Sequence, residues 1–436
     1  MASRFLMAPG GALRGRLRVP GDKSISHRAI MLGALAEGQT RVSGFLEGED
    51  SLATLAAFRA MGVRIQGPEA GDLIIDGLGL RGLKAPAGPL DLGNSGTSMR
   101  LLCGLLAGQG FAVTLAGDAS LTRRPMRRVT EPLTRMGARI ETSSSGTAPL
   151  RIQPVAQLQG IDYAMPVASA QVKSCVLLAG LFAQGRTCVS EPAPTRDHTE
   201  RMLAGFGYPV QRQGATVCLE GGGRLLGRAL AVPADISSAA FFLVGASIAP
   251  GSDLTLEHVG VNPTRVGVLN ILWAMGADIE VLNPRNAGTE PVADLRVRSA
   301  PLRGIRIPGE QVPLAIDEFP ALFIAAACAE GETLLVGADE LRVKESDRIQ
   351  VMADGLSALG IENEPRSDGI RIQGGTPRAG LIDSQGDHRV AMAFAMAALR
   401  ASGPIEIRDC ANVRTSFPGF ARLAAGAGLG IQEQGQ

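Results

Sequence analysis

One passage is written six times along this chain, and the repetition restricts the folds open to it. Each copy opens on a polar cluster, continues as an apolar stretch of small residues, meets glycine or another turn residue, and ends in a strand-like run. The openings are Asp22-Lys23-Ser24, Asn94-Ser95-Gly96-Thr97, Ser169-Ala170-Gln171, Asp235-Ile236-Ser237-Ser238, Asp317-Glu318 and Asp387-His388-Arg389. Apolar runs follow at 29–35, 101–107, 176–183, 239–248, 321–329 and 390–399. A second beat is a helix-like segment closing on Gly62, Gly137, Gly207, Gly276, Gly360 and Gly428, spaced 75, 70, 69, 84 and 68 residues apart. Self-similarity at a fixed period means repeated supersecondary units, each burying its apolar face against its neighbours.

The first helix of each unit is apolar nearly all round, the pattern of a buried helix. The second is amphipathic: in 51–61, Leu52, Leu55, Ala56 and Phe58 alternate with polar positions. Strand-like runs at 40–44, 113–116, 187–190, 254–256 and 333–336 follow the buried helices. Alternating strands and helices predict an α/β fold. A chain of 436 residues is long enough for two or more domains. Pro20-Gly21 and Val232-Pro233-Ala234 mark the crossings. The expected division is therefore residues 1–20 plus 235–436 as one domain and 21–234 as the other, three units in each. The strand at 13–19 is expected to pair with the half that carries the last three units.

Composition removes several function classes. Lysine plus arginine exceeds aspartate plus glutamate by one, so no general electrostatic case exists for nucleic acid or an anionic membrane. One Trp and two Tyr give little for bases to stack on. The six cysteines form no CxxC and no metal-like pairing with the four histidines; they read as reduced structural thiols of a cytosolic protein. No apolar run reaches the ~18 residues of a membrane span. The opening Met1-Ala2-Ser3-Arg4-Phe5 lacks a signal-peptide core. A cytoplasmic location and a monomer are expected.

The polar openings stand where buried helices begin. A helix N-terminus offers free N–H groups and partial positive charge, which favour anions. Functional side chains collect at the same places. Lys23, Ser24 and Arg28 surround one helix start, with Lys as a point charge and Arg as a two-pronged phosphate donor; the plainer reading makes Asp22 or Ser24 only an N-cap and Arg28 a solvated residue. The loop at 92–100 is glycine-rich but is not a P-loop, having no Gly-Lys-Ser/Thr. Arg124 stands out from the cationic run at 123–128, and Arg196 from the helix start at 195–200, where His198 reads as helical decoration. Lys344 and Arg348 fall at i and i+4, the spacing of one helix face, with Glu345 beside them. Asp317-Glu318 and Asp387-His388-Arg389 open further apolar helices; among so many cations a carboxylate can remain ionised and act as a base, and a neighbouring carboxyl can deliver a proton.

At these residues the chain resembles the enolpyruvyl transferase family, from about residue 10 to about residue 425. The segments PGDKSISHR, SAQVKS, TRDHTE and VKESDR carry the likeness, in the form found in a divergent bacterial branch. The resemblance implies two globular domains, each of three βαβαββ repeats with buried helices, an inside-out α/β barrel type, closing over substrate in the cleft between them. It implies shikimate 3-phosphate and phosphoenolpyruvate as substrates and no metal or organic cofactor. By position it assigns Lys23, Ser24, Arg28, Ser169, Ala170, Gln171, Arg196, Asp317 and Lys344 to shikimate 3-phosphate. Lys23, Gly96, Arg124, Gln171, Arg348 and Arg389 fall to phosphoenolpyruvate. Asp317 would be the base on the 5-hydroxyl and Glu345 the donor to the methylene carbon, with Lys23 assisting.

The chain departs from enteric relatives at Thr415, where they carry Lys before Phe-Pro, at Glu340, where they carry Asn, and at Ala170, where they carry Ser. Gly96 is retained, which leaves room for glyphosate as an inhibitor, while Leu101 replaces a proline common in sensitive relatives. Two alternatives compete. One is the branch acting on UDP-N-acetylglucosamine, which usually has a cysteine in the loop before its arginine; the loop at 115–124 has none, and Ser24 follows Lys23 where that branch has Asn. The other is a non-catalytic anion-binding module, which gains nothing from Asp317 and Glu345.

Overall fold

The computed structural model describes residues 3–435, so Met1 and Ala2 of the opening segment lie outside the described residues. The chain divides into two compact units. One comprises Met1–Pro20, Pro233–Asn286 and Pro291–Gln436; the other comprises Gly21–Val232 and Ala287–Glu290. Each has its own hydrophobic core: Val232 closes one and Ala234 belongs to the other.

The Gly21–Val232 unit shows the repeat most plainly. In chain order one copy reads Leu90–Asp91, helix Gly96–Ala107, Val113–Ala116, helix Arg127–Arg135, Arg139–Glu141 and Leu150–Gln153, with a short helix, Ala119–Thr122, inserted. Its sheet runs parallel between the first two strands and antiparallel onward. The sheets on Glu37–Ser43 and on Arg186–Ser190 follow the same scheme. For the first copy the leading strand comes from the far end of the unit, Ala229–Ala231, paired in parallel with Glu37–Ser43.

The other unit uses the same scheme with strands borrowed from the N-terminus. Arg14–Leu17 pairs in parallel with Asp253–Gly260. Arg4–Met7, which the sequence pattern did not mark as a strand, lies between Ile405–Arg408 and Ile431–Gln434, antiparallel to both. In the third sheet a parallel bridge from Arg306 to Leu334 stands where the leading strand would be. Among the described residues the sheets stay separate, with no closed barrel, so inside-out refers to buried helices with sheets around them.

Those helices are Lys23–Leu35, Gly96–Ala107, Ala170–Gly180, Ile236–Ile248, Phe319–Ala327 and His388–Ala397. Every residue of Ile236–Ile248 and Phe319–Ala327 is buried. Each large aliphatic side chain there contributes about 1.5–3 kcal/mol by leaving water. The small residues allow close approach: a methyl at Gly104 would lie 2.1 Å from the Cys175 carbonyl oxygen. Five of the six are capped by the side chain that opens them, Asp22, Ser95, Ser169, Asp235 and Asp387. Phe319–Ala327 lacks such a bond and has proline in its first turn instead. The six glycines of the second beat all adopt positive φ, from 75° at Gly360 to 114° at Gly428, the left-handed turn that ends a helix.

One expectation is corrected. Cys188 and Cys218 are not reduced thiols; they are bonded as a disulfide with Cα atoms 4.1 Å apart. They face each other across antiparallel strands Arg186–Ser190 and Thr216–Glu220. Directly opposed residues share one face of a sheet, and cysteine spacing alone does not reveal that register. Cys103, Cys175, Cys328 and Cys410 are free thiols.

Candidate active site

Each unit gathers charged side chains at the N-termini of its buried helices. In the Gly21–Val232 unit, Asp22 caps the helix that Lys23 begins, its carboxylate accepting from Ile25 N at 2.8 Å. The Lys23 ammonium pairs with Asp50. One turn on, Arg28 is buried, so it is not a solvated residue. Its Nε donates to Thr199 Oγ1 and its Nη2 to Ser174 Oγ, both at 2.7 Å, and its Nη1 to the Ser24 carbonyl at 2.9 Å. Burial pushes the Arg28 guanidinium down to about 10; Glu200 and Asp22 oppose that shift and Arg196 adds to it. Arg28 therefore stays charged at neutral pH, within electrostatic reach of Arg196.

The second helix start joins the third. A methyl at Gly96 would sit 2.9 Å from Arg100 Nη1 and 3.0 Å from Arg124 Nη1, so two guanidiniums flank this glycine. Arg124 Nη2 donates to Asn94 Oδ1 at 2.7 Å. Arg100 Nη1 donates to Gln171 Oε1 at 2.8 Å, and Gln171 Nε2 to Thr97 Oγ1 at 3.2 Å. Ser169 Oγ accepts from Val172 N, and Ala170 begins the helix. Gly96, Arg124 and Gln171, three positions singled out in sequence, are thus linked through Arg100 and Asn94. The roles of those two rest on contacts across 30 and 71 residues of sequence.

His198 is not surface decoration: it is buried, and its Nδ1 lies 2.8 Å from Glu290 Oε1. Glu290 belongs to the Ala287–Glu290 tip that groups with this unit. His27 is also buried, with Nδ1 2.8 Å from Thr54 Oγ1. Burial, then Lys23 and Arg28, hold its imidazole well below the usual range.

In the other unit, Asp317 sits just before Phe319–Ala327. Its Oδ1 is 3.6 Å from Lys344 Nζ and 3.4 Å from Arg348 Nη1, and its carbonyl accepts from Arg389 Nη1 at 2.9 Å. Glu345 Oε2 accepts from Arg348 Nη2 at 2.7 Å. Asp317, Lys344, Glu345, Arg348 and Arg389 therefore form one cluster. Its organiser, unmarked in sequence beyond opening a helix, is Asp387: fully buried, it takes Arg348 Nε at 2.9 Å and Ser346 Oγ at 3.0 Å. Burial alone would lower the Arg348 guanidinium, but Asp387, Glu345 and Asp317 together raise it. Burial likewise pushes Asp387 up, and Arg348 overcomes it to hold the carboxyl below its ordinary value.

Lys344 and Arg348 do not share a helix face. Asp347 caps the helix Arg348–Ala358 through Gln350 N at 3.0 Å, and Lys344 ends the preceding 3-10 turn, Asp339–Val343. The cap breaks the helix between them, and Asp317 brings them together. Glu340 Oε1 accepts from Lys344 Nζ at 3.1 Å. Thr415 Oγ1 is turned back onto the Asn412 carbonyl at 2.7 Å, and Arg414 is exposed.

This architecture is the enolpyruvyl transferase fold: the enolpyruvyl transferase NikO from Streptomyces tendae superposes with a TM-score of 0.80 over 99% of each chain, at 16% identity. Residues 7–423 match the family described as EPSP synthase (3-phosphoshikimate 1-carboxyvinyltransferase). The EPSP synthase structure from Acinetobacter baumannii superposes with a TM-score of 0.90 at 58% identity, covering 99% of this chain and 100% of that one. The 3-phosphoshikimate 1-carboxyvinyltransferase of Alkalilimnicola ehrlichii is 72% identical across 98% of this chain and 96% of its own length; that of Methylococcus capsulatus is 70% identical across 98% of both. The chain belongs to the EPSP synthase family. It is a transferase of the enolpyruvyl group in the shikimate pathway to aromatic amino acids, which sets aside both alternatives weighed on sequence.

Proposed function

We propose that the two clusters act on one substrate pair, shikimate 3-phosphate and phosphoenolpyruvate, with Asp317 as base and Glu345 as acid. Asp317 takes the proton of the 5-hydroxyl as its oxygen bonds to C2 of phosphoenolpyruvate. Glu345 delivers a proton to C3, giving a tetrahedral intermediate. Return of a C3 proton to Glu345 and cleavage of the C2–O bond to phosphate then release phosphate and restore the vinyl group. Lys23 assists proton transfer. Positioning and electrostatic stabilisation supply most of the rate, because both substrates are anions that must be held together.

In this reading Lys23, Ser24, Arg28, Ser169, Ala170, Gln171, Arg196 and Lys344 hold shikimate 3-phosphate. Lys23, Gly96, Arg124, Gln171, Arg348 and Arg389 hold phosphoenolpyruvate. The observation that carries it is the convergence of Lys344, Arg348 and Arg389 on Asp317, which sets a proton acceptor among anion-binding groups. The protein works as a monomer in the cytoplasm, a reading supported by its small-molecule chemistry and by two cores complete within one chain. Glyphosate, an anion with phosphonate and carboxylate ends, fits the cationic setting of Gly96.

The test is phosphate release by purified protein. Release with shikimate 3-phosphate plus phosphoenolpyruvate is expected; release only with UDP-N-acetylglucosamine as acceptor would overturn the reading.

A further inference from the structure

Next to the Ser169-Ala170-Gln171 segment lies a charged group that no role above uses. Lys173 is 0% exposed. Its Nζ lies 2.9 Å from Glu191 Oε2 and 2.8 Å from Glu200 Oε1, and donates to the Thr195 carbonyl at 3.3 Å. The same Glu191 oxygen accepts from Thr195 N at 3.2 Å and Thr195 Oγ1 at 2.6 Å. Its other oxygen meets Arg212 at 3.3 Å.

Burying one ammonium with two carboxylates carries a desolvation penalty that well-packed apolar residues would avoid, so such a group is weak evidence of stability. What this group does fix is a backbone segment. Three of its contacts land on Thr195, and the next residue is Arg196. Glu200 lies on the helix that follows, His198–Gly205, one residue after Thr199. Ser174, one residue after Lys173, receives Arg28 Nη2 at 2.7 Å and Thr199 Oγ1 at 2.7 Å. The framework that holds Arg28 is therefore continuous with the one that holds the Arg196 segment.

We propose that Lys173, acting through Glu191, Thr195 and Glu200, is a positioning residue that sets Arg196 beside Arg28 to receive the phosphate of the acceptor substrate. The inference rests on reading Arg28 and Arg196 as contacts to shikimate 3-phosphate. It assigns this buried triad to affinity for one substrate, not to the chemical step.

Steady-state kinetics with each substrate varied separately, alongside thermal melts, test it. Thr195→Val keeps all three charges and the side-chain shape but removes the hydroxyl that grips Glu191. It is expected to raise KM for shikimate 3-phosphate about tenfold, leaving kcat and KM for phosphoenolpyruvate within about twofold, and Thr195→Ser restores the original value. Lys173→Met follows the same pattern more strongly; if it does not fold, Thr195→Val decides. An unchanged KM for shikimate 3-phosphate in folded Thr195→Val, or an equal rise for both substrates, overturns the proposal. Arg196→Ala separates the two levels: if it raises that KM while Thr195→Val does not, only the positioning role fails. If Arg196→Ala has no effect, the assignment beneath it fails.

Discussion

The two charged clusters keep their cations in different company. In the Gly21–Val232 unit the hydrogen bonds described above run from arginines to neutral oxygens: Arg28 to Thr199, Ser174 and the Ser24 carbonyl, Arg124 to Asn94, Arg100 to Gln171. In the other unit the cations are interleaved with carboxylates: Lys344 with Asp317 and Glu340, Arg348 with Asp317, Glu345 and Asp387. Neutral acceptors orient a guanidinium without cancelling its charge. Carboxylates cancel charge but bring groups that move protons. The difference points to a division of labour in which one unit mainly binds and the other mainly reacts.

The strongest way to break that division is Asp317→Ala. Turnover is expected to fall by about 10²–10⁴-fold with the thermal midpoint nearly unchanged; a loss below tenfold would remove Asp317 as base. Next is Asp387→Asn, which leaves the buried Arg348 short of its main counter-charge. Stability is expected to fall by about 3–5 kcal/mol in urea unfolding, and an unaltered midpoint would show that Glu345 and Asp317 suffice. On the binding side, Asn94→Ala removes the shorter of two acceptors of Arg124 Nη2, the other being Ser120 Oγ at 3.4 Å. KM for phosphoenolpyruvate should rise several-fold, on the order of the ~1 kcal/mol worth of a hydrogen bond, with kcat little changed. An effect on kcat alone would blur the contrast.

The smallest effect concerns pH. His27 is neutral when folded, its imidazole held well below 6.5. The unfolded chain takes up that proton below about 6.5 and the folded chain does not, so acidification favours unfolding. His27 contributes a loss of up to ~1.4 kcal/mol per pH unit below that value. His27→Gln should flatten unfolding free energy against pH between about 5 and 6.5 relative to the parent; identical slopes would mean His27 is protonated in the fold.

Much of this was legible because it is local. A cap, an apolar run and a left-handed glycine each act within a few residues, so the six helix starts and six helix ends could be read directly. The cationic positions were legible because they sit at those starts. Most of what escaped depends on partners far away in sequence. Lys344 and Arg348 have helical spacing, but what brings them together is Asp317, which Arg348 meets across 31 positions. His198 resembles an exposed helix residue until Glu290, 92 positions on, covers it. Cys188 and Cys218 needed the strand register, and Asp50, Asn94, Arg100 and Asp387 acquire meaning only through the side chains they meet.

The borrowed strands have a consequence for the order of synthesis. Arg4–Met7 and Arg14–Leu17 leave the ribosome well before their partners, Asp253–Gly260, Ile405–Arg408 and Ile431–Gln434. During translation, at about 5–20 residues per second, these early segments wait with their edges unpaired while residues 21–232 assemble behind them. The nascent chain thus has one half able to mature early and one that cannot close until Ile431–Gln434 has emerged, which makes Arg4–Met7 wait longest for shelter.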